Sequence, residues 1–146
     1  LYQYKDDKNS AIEFLEKSSF NDLFLLELYL SQKKYKNAKN LAKKLYKESG
    51  DLDMLAQLSM IEYESRDKKD KEFLKKLSIQ FDKVVKKIDN PLYNNFYGYI
   101  LIDDDIDVDR GIKLVLKALK QKPESAFFLD SLAWGYYKKG ECQKAL

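Results

Sequence analysis

One order of residues recurs four times along the chain, and it restricts the fold more than any other feature. A first residue, usually large, is followed by two variable positions, a large residue and its neighbour, two more variable positions, and a further large residue. The copies are Asp22-x-x-Leu25-Leu26-x-x-Tyr29, Leu55-x-x-Leu58-Ser59-x-x-Glu62, Asn94-x-x-Tyr97-Gly98-x-x-Leu101 and Leu129-x-x-Leu132-Ala133-x-x-Tyr136. Anchored on Leu25, Leu58, Tyr97 and Leu132, they are spaced by 33, 39 and 35 residues. A period in this range marks a stacked array, because one supersecondary unit cannot bury its hydrophobic face alone.

The local pattern within each period is helical. Ala38, Leu41, Ala42 and Leu45 step by three and four, as do Leu129, Leu132, Ala133 and Tyr136, while period-2 alternation never persists. Short breaks separate the helical stretches, among them Lys33-Lys34, Ser49-Gly50, Asn90-Pro91 and Pro123-Glu124. Such breaks join antiparallel hairpins. Asn90-Pro91 and Lys122-Pro123 suit a helix end followed by the first turn of the next. Gly50 and Gly140 suit C-terminal positions that need a left-handed backbone. The spacing predicts helices over Ser19–Ser31, Tyr35–Glu48, Leu52–Arg66, Lys69–Ile88, Leu92–Ile102, Val108–Gln121 and Ser125–Lys138. Only 2 Pro and 5 Gly leave little turn material for an all-β fold.

The period and the pattern resemble the tetratricopeptide repeat, a helix-turn-helix unit of about 34 residues. Gly111-x-x-x-Val115 with Ala118 and then Pro123 resembles that family's second helix and closing proline, and Ala38-x-x-x-Ala42 with Leu45 does the same earlier. The match is strong from Leu92 to Leu146, good from Phe20 to Gly50 and weak from Asp51 to Asn90, where Glu62 stands in an aromatic's place. The resemblance implies an all-α fold: a right-handed α-solenoid of stacked antiparallel helix hairpins. The chain then reads as one domain, 1–146, with repeats 19–51, 52–90 and 91–125, a partial unit 1–18 and a partial repeat 126–146. In the first partial unit Ala11, Phe14 and Leu15 are expected on the buried face. Gly98 and Ala133 are expected to be buried where two helices of a hairpin cross, because a small residue permits close approach. The runs Tyr93-Asn94-Asn95-Phe96-Tyr97-Gly98-Tyr99 and Phe128-Leu129-Asp130-Ser131-Leu132-Ala133-Trp134 resemble repeats of bacterial cell-envelope adaptor lipoproteins, a pointer to the envelope or periplasm with the cytoplasm as the alternative. The chain opens on Leu1 without Met and closes as a helical pattern begins, so a piece of a longer protein is expected.

Composition removes most catalytic chemistry. With no His and a single Cys, neither a His/Cys zinc site, an intramolecular disulfide nor a Ser-His-Asp or Cys-His pair can be assembled. No enzyme activity, no cofactor and no small-molecule substrate are expected. A net charge of +3 argues for neither nucleic acid nor an anionic membrane. The acidic run Asp103–Asp109 carries alternating Asp105, Asp107 and Asp109 like the start of a calcium loop. Arg110 and Leu116, however, stand where the EF-hand requires Gly and the bidentate Glu. It reads as an acidic loop favourable at a helix N-terminus, with no metal. The lysines from Lys33 to Lys47, with Lys36, Lys39, Lys43 and Lys44 among them, read as a solvated outer face. Cys142 reads as inert.

The remaining candidate is an aromatic stripe. Leu92, Asn95, Tyr99 and Ile102 on one helix and Phe127, Asp130, Trp134 and Tyr137 on another share a second face, distinct from the repeat motif. By resemblance, that face lines a concave groove that binds a protein or peptide segment, with Trp and Tyr as anchors. The lysine-and-asparagine clamp by which some family members grip chaperone tails has no lysine at the equivalent places: Leu23 and Glu27, Ala56 and Met60, Asn95 and Tyr99, Asp130 and Trp134. An interaction scaffold is therefore the first reading. The alternatives are an accessory segment of a larger enzyme or secretion complex, and a nucleic-acid binder using the lysines.

Overall fold

The computed structural model describes residues 8–13 and 21–141, and among them every regular element is a helix. Residues 8–13 are helical. The elements that follow are α1 (Asp22–Ser31), α2 (Tyr35–Ser49), α3 (Leu52–Ser65), α4 (Lys71–Lys87), α5 (Pro91–Asp103), α6 (Val108–Gln121) and α7 (Ala126–Lys138). Each agrees with the expected range to within two residues at the ends that can be compared. Capping accounts for the differences at the helix starts, because a capping side chain satisfies amides that the first turn leaves unpaired. Asn21, Asp51, Asn90, Asp107 and Ser125 accept from backbone N–H groups at the starts of α1, α3, α5, α6 and α7. Asp70 does so for α4 through the amide of Phe73 at 2.9 Å, which is why α4 begins at Lys71 and not Lys69. Gly50 closes α2 in the left-handed region at φ 66°, where its N–H donates to the Tyr46 carbonyl.

The chain forms two compact units, residues 1–74 and 75–146. In the first, α2 packs against both α1 and α3. Ile12, Leu25, Leu26, Tyr29, Ala38, Ala42, Met54, Leu58 and Ile61 form its core. Ala11 is half-buried, and its neighbour Ile12 takes the buried place instead; Phe14 and Leu15 lie outside the described residues. Glu62, the departure from the repeat pattern, is buried, with its carboxylate 3.9 Å from the Lys39 ammonium. Lys39, its side chain still 38% exposed, thus stands beside a buried carboxylate at the edge of the basic face.

In the second unit α5, α6 and α7 pack pairwise. Ile102, Ile112 and Val115 form one core cluster, and Phe81, Val84, Tyr97, Ile100, Leu101 and Phe128 are also buried. The α5–α6 crossing is close. A Cβ built on Gly98 would lie 2.8 Å from the Gly111 carbonyl oxygen, and one on Gly111 would lie 2.6 Å from that of Gly98. Gly98 is therefore placed as the motif expects, with Gly111 as its partner across the hairpin.

The repeat motif is buried at all of its positions except the variable acidic Asp22 in the first three copies, and in none of the fourth. Leu129 is exposed, while Leu132, Ala133 and Tyr136 are half-buried. Ala133 thus departs from expectation. Leu132 and Tyr136 pack only partly against the Ile102, Ile112 and Val115 cluster of α5 and α6, and the motif face of α7 stays half-covered. The buried side of α7 is instead Phe128, Ser131 and Gly135, which meets α5 and α6. There Gly135 is the close approach: an added Cβ would come within 2.7 Å of the Ile112 side chain. The tight fit expected at Ala133 belongs to Gly98, Gly111 and Gly135.

Candidate functional site

Helices α5 and α7 lie against one another, and their outward residues include most of the expected stripe. Leu92 is 55% exposed and Tyr99 38% on α5, with Phe127 81% and Tyr137 58% on α7. Asp130 is exposed between the α7 aromatics, and Asn95 is half-buried between Leu92 and Tyr99. The Asn95 Oδ1 is shielded from solvent and has no hydrogen-bond donor among the described residues. An incoming group reaches this atom only if the side chain turns outward, and the cost of about 1–3 kcal/mol for a buried acceptor left unpaired favours that turn.

Two members of the stripe behave differently from expectation. Ile102 is fully buried, because α7 crosses over it at Gly135, and it belongs to the core with Ile112 and Val115. It cannot line an open face. Trp134 is half-buried and packs against that same cluster, and its indole Nε1 donates to Asp103 Oδ1 at 3.0 Å. One ring face stacks on Tyr137 with centroids 5.3 Å apart, and the Lys138 ammonium stands 5.4 Å from the ring centre. Trp134 is therefore a fixed pillar under Tyr137 more than a free anchor. Sequence periodicity puts Ile102 and Tyr137 at equivalent register, but only the neighbouring helix decides which of them is covered.

The acidic run is occupied by structural work. Lys138 donates to the Asp103 carbonyl at 2.7 Å and pairs with Asp105 at 3.0 Å, and Lys139 pairs with Asp109 at 2.7 Å. Asp107 caps α6. The hydrogen bond and charge of Lys139 hold the Asp109 carboxyl below its ordinary range. Burial, then the neighbouring Asp103 and Asp104, push the Tyr99 hydroxyl above its own. No three metal-ligating side chains converge among the described residues. Titration with calcium or magnesium at micromolar levels is expected to give no saturable heat and no rise in Tm, since the loop lacks the closing bidentate Glu; a micromolar Kd measured by calorimetry would overturn this reading. Cys142 lies outside the described residues.

Sequence reasoning missed a network at the base of this unit. The Tyr97 hydroxyl donates to Asp82 Oδ1 at 2.8 Å, and Arg110 reaches the same oxygen at 2.6 Å and the Tyr97 oxygen at 3.3 Å. No periodic signal links positions so far apart. Nor does one reveal the polar pocket on the first unit, lined in part by Lys36, Asn40 and Lys44.

Two solved structures superpose on nearly the whole chain. The first, described as YrrB, a TPR protein with an unusual peptide-binding site, has a TM-score of 0.72 at 18% identity. It covers 99% of this chain and 75% of its own. The second, MamA MSR-1 C2, also has a TM-score of 0.72, at 16% identity, covering 98% of this chain and 83% of its own. The fold is tetratricopeptide-like. No protein-family model matches the sequence, and no curated protein matches it. At these identities the likeness concerns the TPR-like architecture alone. No described helix is long and apolar enough to cross a membrane.

Proposed function

We propose that this protein is a non-enzymatic interaction scaffold that receives a peptide segment of a partner protein on the α5–α7 stripe. The observation that carries the reading is the alternation on this face: exposed Leu92, Tyr99, Phe127 and Tyr137 interleaved with Asn95 and Asp130. Packing requires no polar residues there. A peptide does, because its apolar side chains seek aromatic surface while its backbone needs partners. A rotation of the half-buried Asn95 side chain would bring its amide to the peptide backbone, and Asp130 would accept from a donor or a basic side chain. Support also comes from the fold, shared with a TPR protein described as having a peptide-binding site. The likeness of the 93–99 and 128–134 runs to envelope adaptor repeats extends the proposal to an envelope partner.

Peptides selected from a displayed random library on the immobilised protein test the reading. Phe127→Ala and Tyr137→Ala are each expected to weaken the selected peptides about tenfold while leaving Tm unchanged, because both side chains are largely exposed. Trp134→Ala should weaken binding and also lower stability, through its Asp103 hydrogen bond and core contacts. Lys43→Ala should do neither. Peptides that bind the Phe127→Ala and Tyr137→Ala variants as tightly as the wild type would place the binding face elsewhere.

A further inference from the structure

The first unit carries a second surface with a different chemistry. An open pocket of about 460 Å³ lies between α1 and α2, lined by Leu25, Tyr29, Lys36, Asn37, Asn40, Leu41 and Lys44. Lys36, Asn40 and Lys44 follow one another at steps of four along α2, so they form a single row down the helix. Asn37 and Leu41 form the adjacent row, and Leu25 and Tyr29, buried on α1, form the floor. No ion pair engages Lys36 or Lys44 among the described residues, whereas Lys39, on the next face, is drawn to Glu62.

We propose that this pocket binds an acidic peptide segment in extended conformation, with two carboxylates three or four residues apart and an apolar residue between them. The spacing follows from geometry. Eight helical residues separate Lys36 from Lys44, about 12 Å of rise, and an extended chain covers that in three to four residues at about 3.3 Å each. The two ammonium groups would each take a carboxylate. Asn37 and Asn40, carrying both donors and acceptors, suit the peptide backbone between them, as an anion without N–H groups would not. Charge complementarity is supported by the run itself, which holds no acid from Lys33 to Lys47.

Other anionic partners fit less well. The aromatic ring of the pocket, Tyr29, is buried and offers no face on which a base could stack. No large apolar residue of α2 is exposed beside the lysines, so the helix has nothing to insert into a bilayer. The site is independent of the α5–α7 stripe.

The test uses the whole chain and a fluorescent probe, acetyl-Gly-Asp-Leu-Ser-Glu-Gly, beside its Asn/Gln counterpart, followed by anisotropy. The acidic probe is expected to bind saturably and the neutral one not. The double variant Lys36→Glu/Lys44→Glu should weaken the acidic probe by about tenfold or more with an unchanged circular dichroism spectrum. Lys34→Glu/Lys43→Glu, which makes the same charge change outside the pocket lining, should weaken the acidic probe at least about threefold less than the first double variant, because exposed charges not in contact with the probe are partly screened. Phe127→Ala should leave this binding intact, which separates failure here from failure of the stripe. Equal losses in both double variants, absence of saturable binding, or tighter binding of a single-stranded oligothymidine or of phosphatidylserine vesicles would overturn the proposal.

Discussion

Gly111→Ala is expected to destabilise the second unit by about 2 kcal/mol, although alanine favours a helix over glycine by about 1 kcal/mol. The new methyl would lie 2.6 Å from the Gly98 carbonyl oxygen, 2.7 Å from Ile102 Cγ1 and 3.2 Å from Leu101 Cβ. Two of these neighbours are side-chain atoms close to the backbone, and the nearest is backbone itself. The backbone oxygen and Leu101 Cβ cannot turn aside by changing a rotamer, and Ile102, fully buried, has no free space for a χ1 rotation, so α5 and α6 must separate. Overpacking of this kind costs about 1–3 kcal/mol and sometimes more, which outweighs the gain in propensity. Gly98→Ala meets the mirror obstruction, 2.8 Å from the Gly111 carbonyl oxygen and 2.9 Å from Val115 Cγ2. Because each substitution forces the same separation, the double variant should lose less than the two single losses combined. Urea unfolding of the single and double variants measures both effects. A raised midpoint for Gly111→Ala would mean that propensity dominates and that the helices are less closely apposed than described.

The Gly98–Gly111 contact also shows which parts of this molecule were legible in its sequence. The repeat pattern reports steric demands that recur every period: large residues between helices and a small one where they cross. Those demands leave a trace at fixed spacing, and the motif positions of the first three copies are buried accordingly, Asp22 apart. Helix ends were legible for a similar local reason, since Asn90-Pro91, Asp107 and Ser125 carry capping chemistry in their own side chains. Exposure was less legible. Ile102 and Tyr137 share a register on their helices, yet one is sealed beneath α7 and the other projects outward. That outcome depends on what lies next to each helix, which a single-helix pattern does not encode. The fourth motif copy differs for the same reason. Lys36, Lys43, Lys44 and Lys47 are exposed, as the lysine spacing indicates; that Leu25 and Tyr29, on a different helix, place a pocket beside Lys36, Asn40 and Lys44 is not written in that spacing.

Least visible of all was the network around Tyr97, and it carries a prediction about alkaline pH. Tyr97 stands at a motif position where a large ring is needed, and its ring packs on Phe81 with centroids 5.6 Å apart. Its hydroxyl, however, is tied by Asp82 and Arg110, at sequence separations of 15 and 13. Burial, reinforced by the hydrogen bond and charge of Asp82 and only partly opposed by Arg110, pushes its pKa from 10.0 up to about 12. Below about pH 10 the hydroxyl is neutral in both folded and unfolded chains, so the stability associated with it is fully present. Between about pH 10 and 12 the unfolded chain releases this proton while the folded one retains it, and stability falls with rising pH. A shift of this size corresponds to roughly 2–3 kcal/mol lost across the window. Tyr97→Phe removes that dependence. It should cost about 1 kcal/mol near neutral pH, where a hydrogen bond to Asp82 is lost, and be the more stable protein near pH 12. The urea midpoints of the two proteins should therefore cross as pH rises, while ionisation of the lysines and other tyrosines, common to both, cancels in the difference. Midpoints that fall in parallel over this range would show that Tyr97 ionises as readily in the folded chain as in the unfolded one.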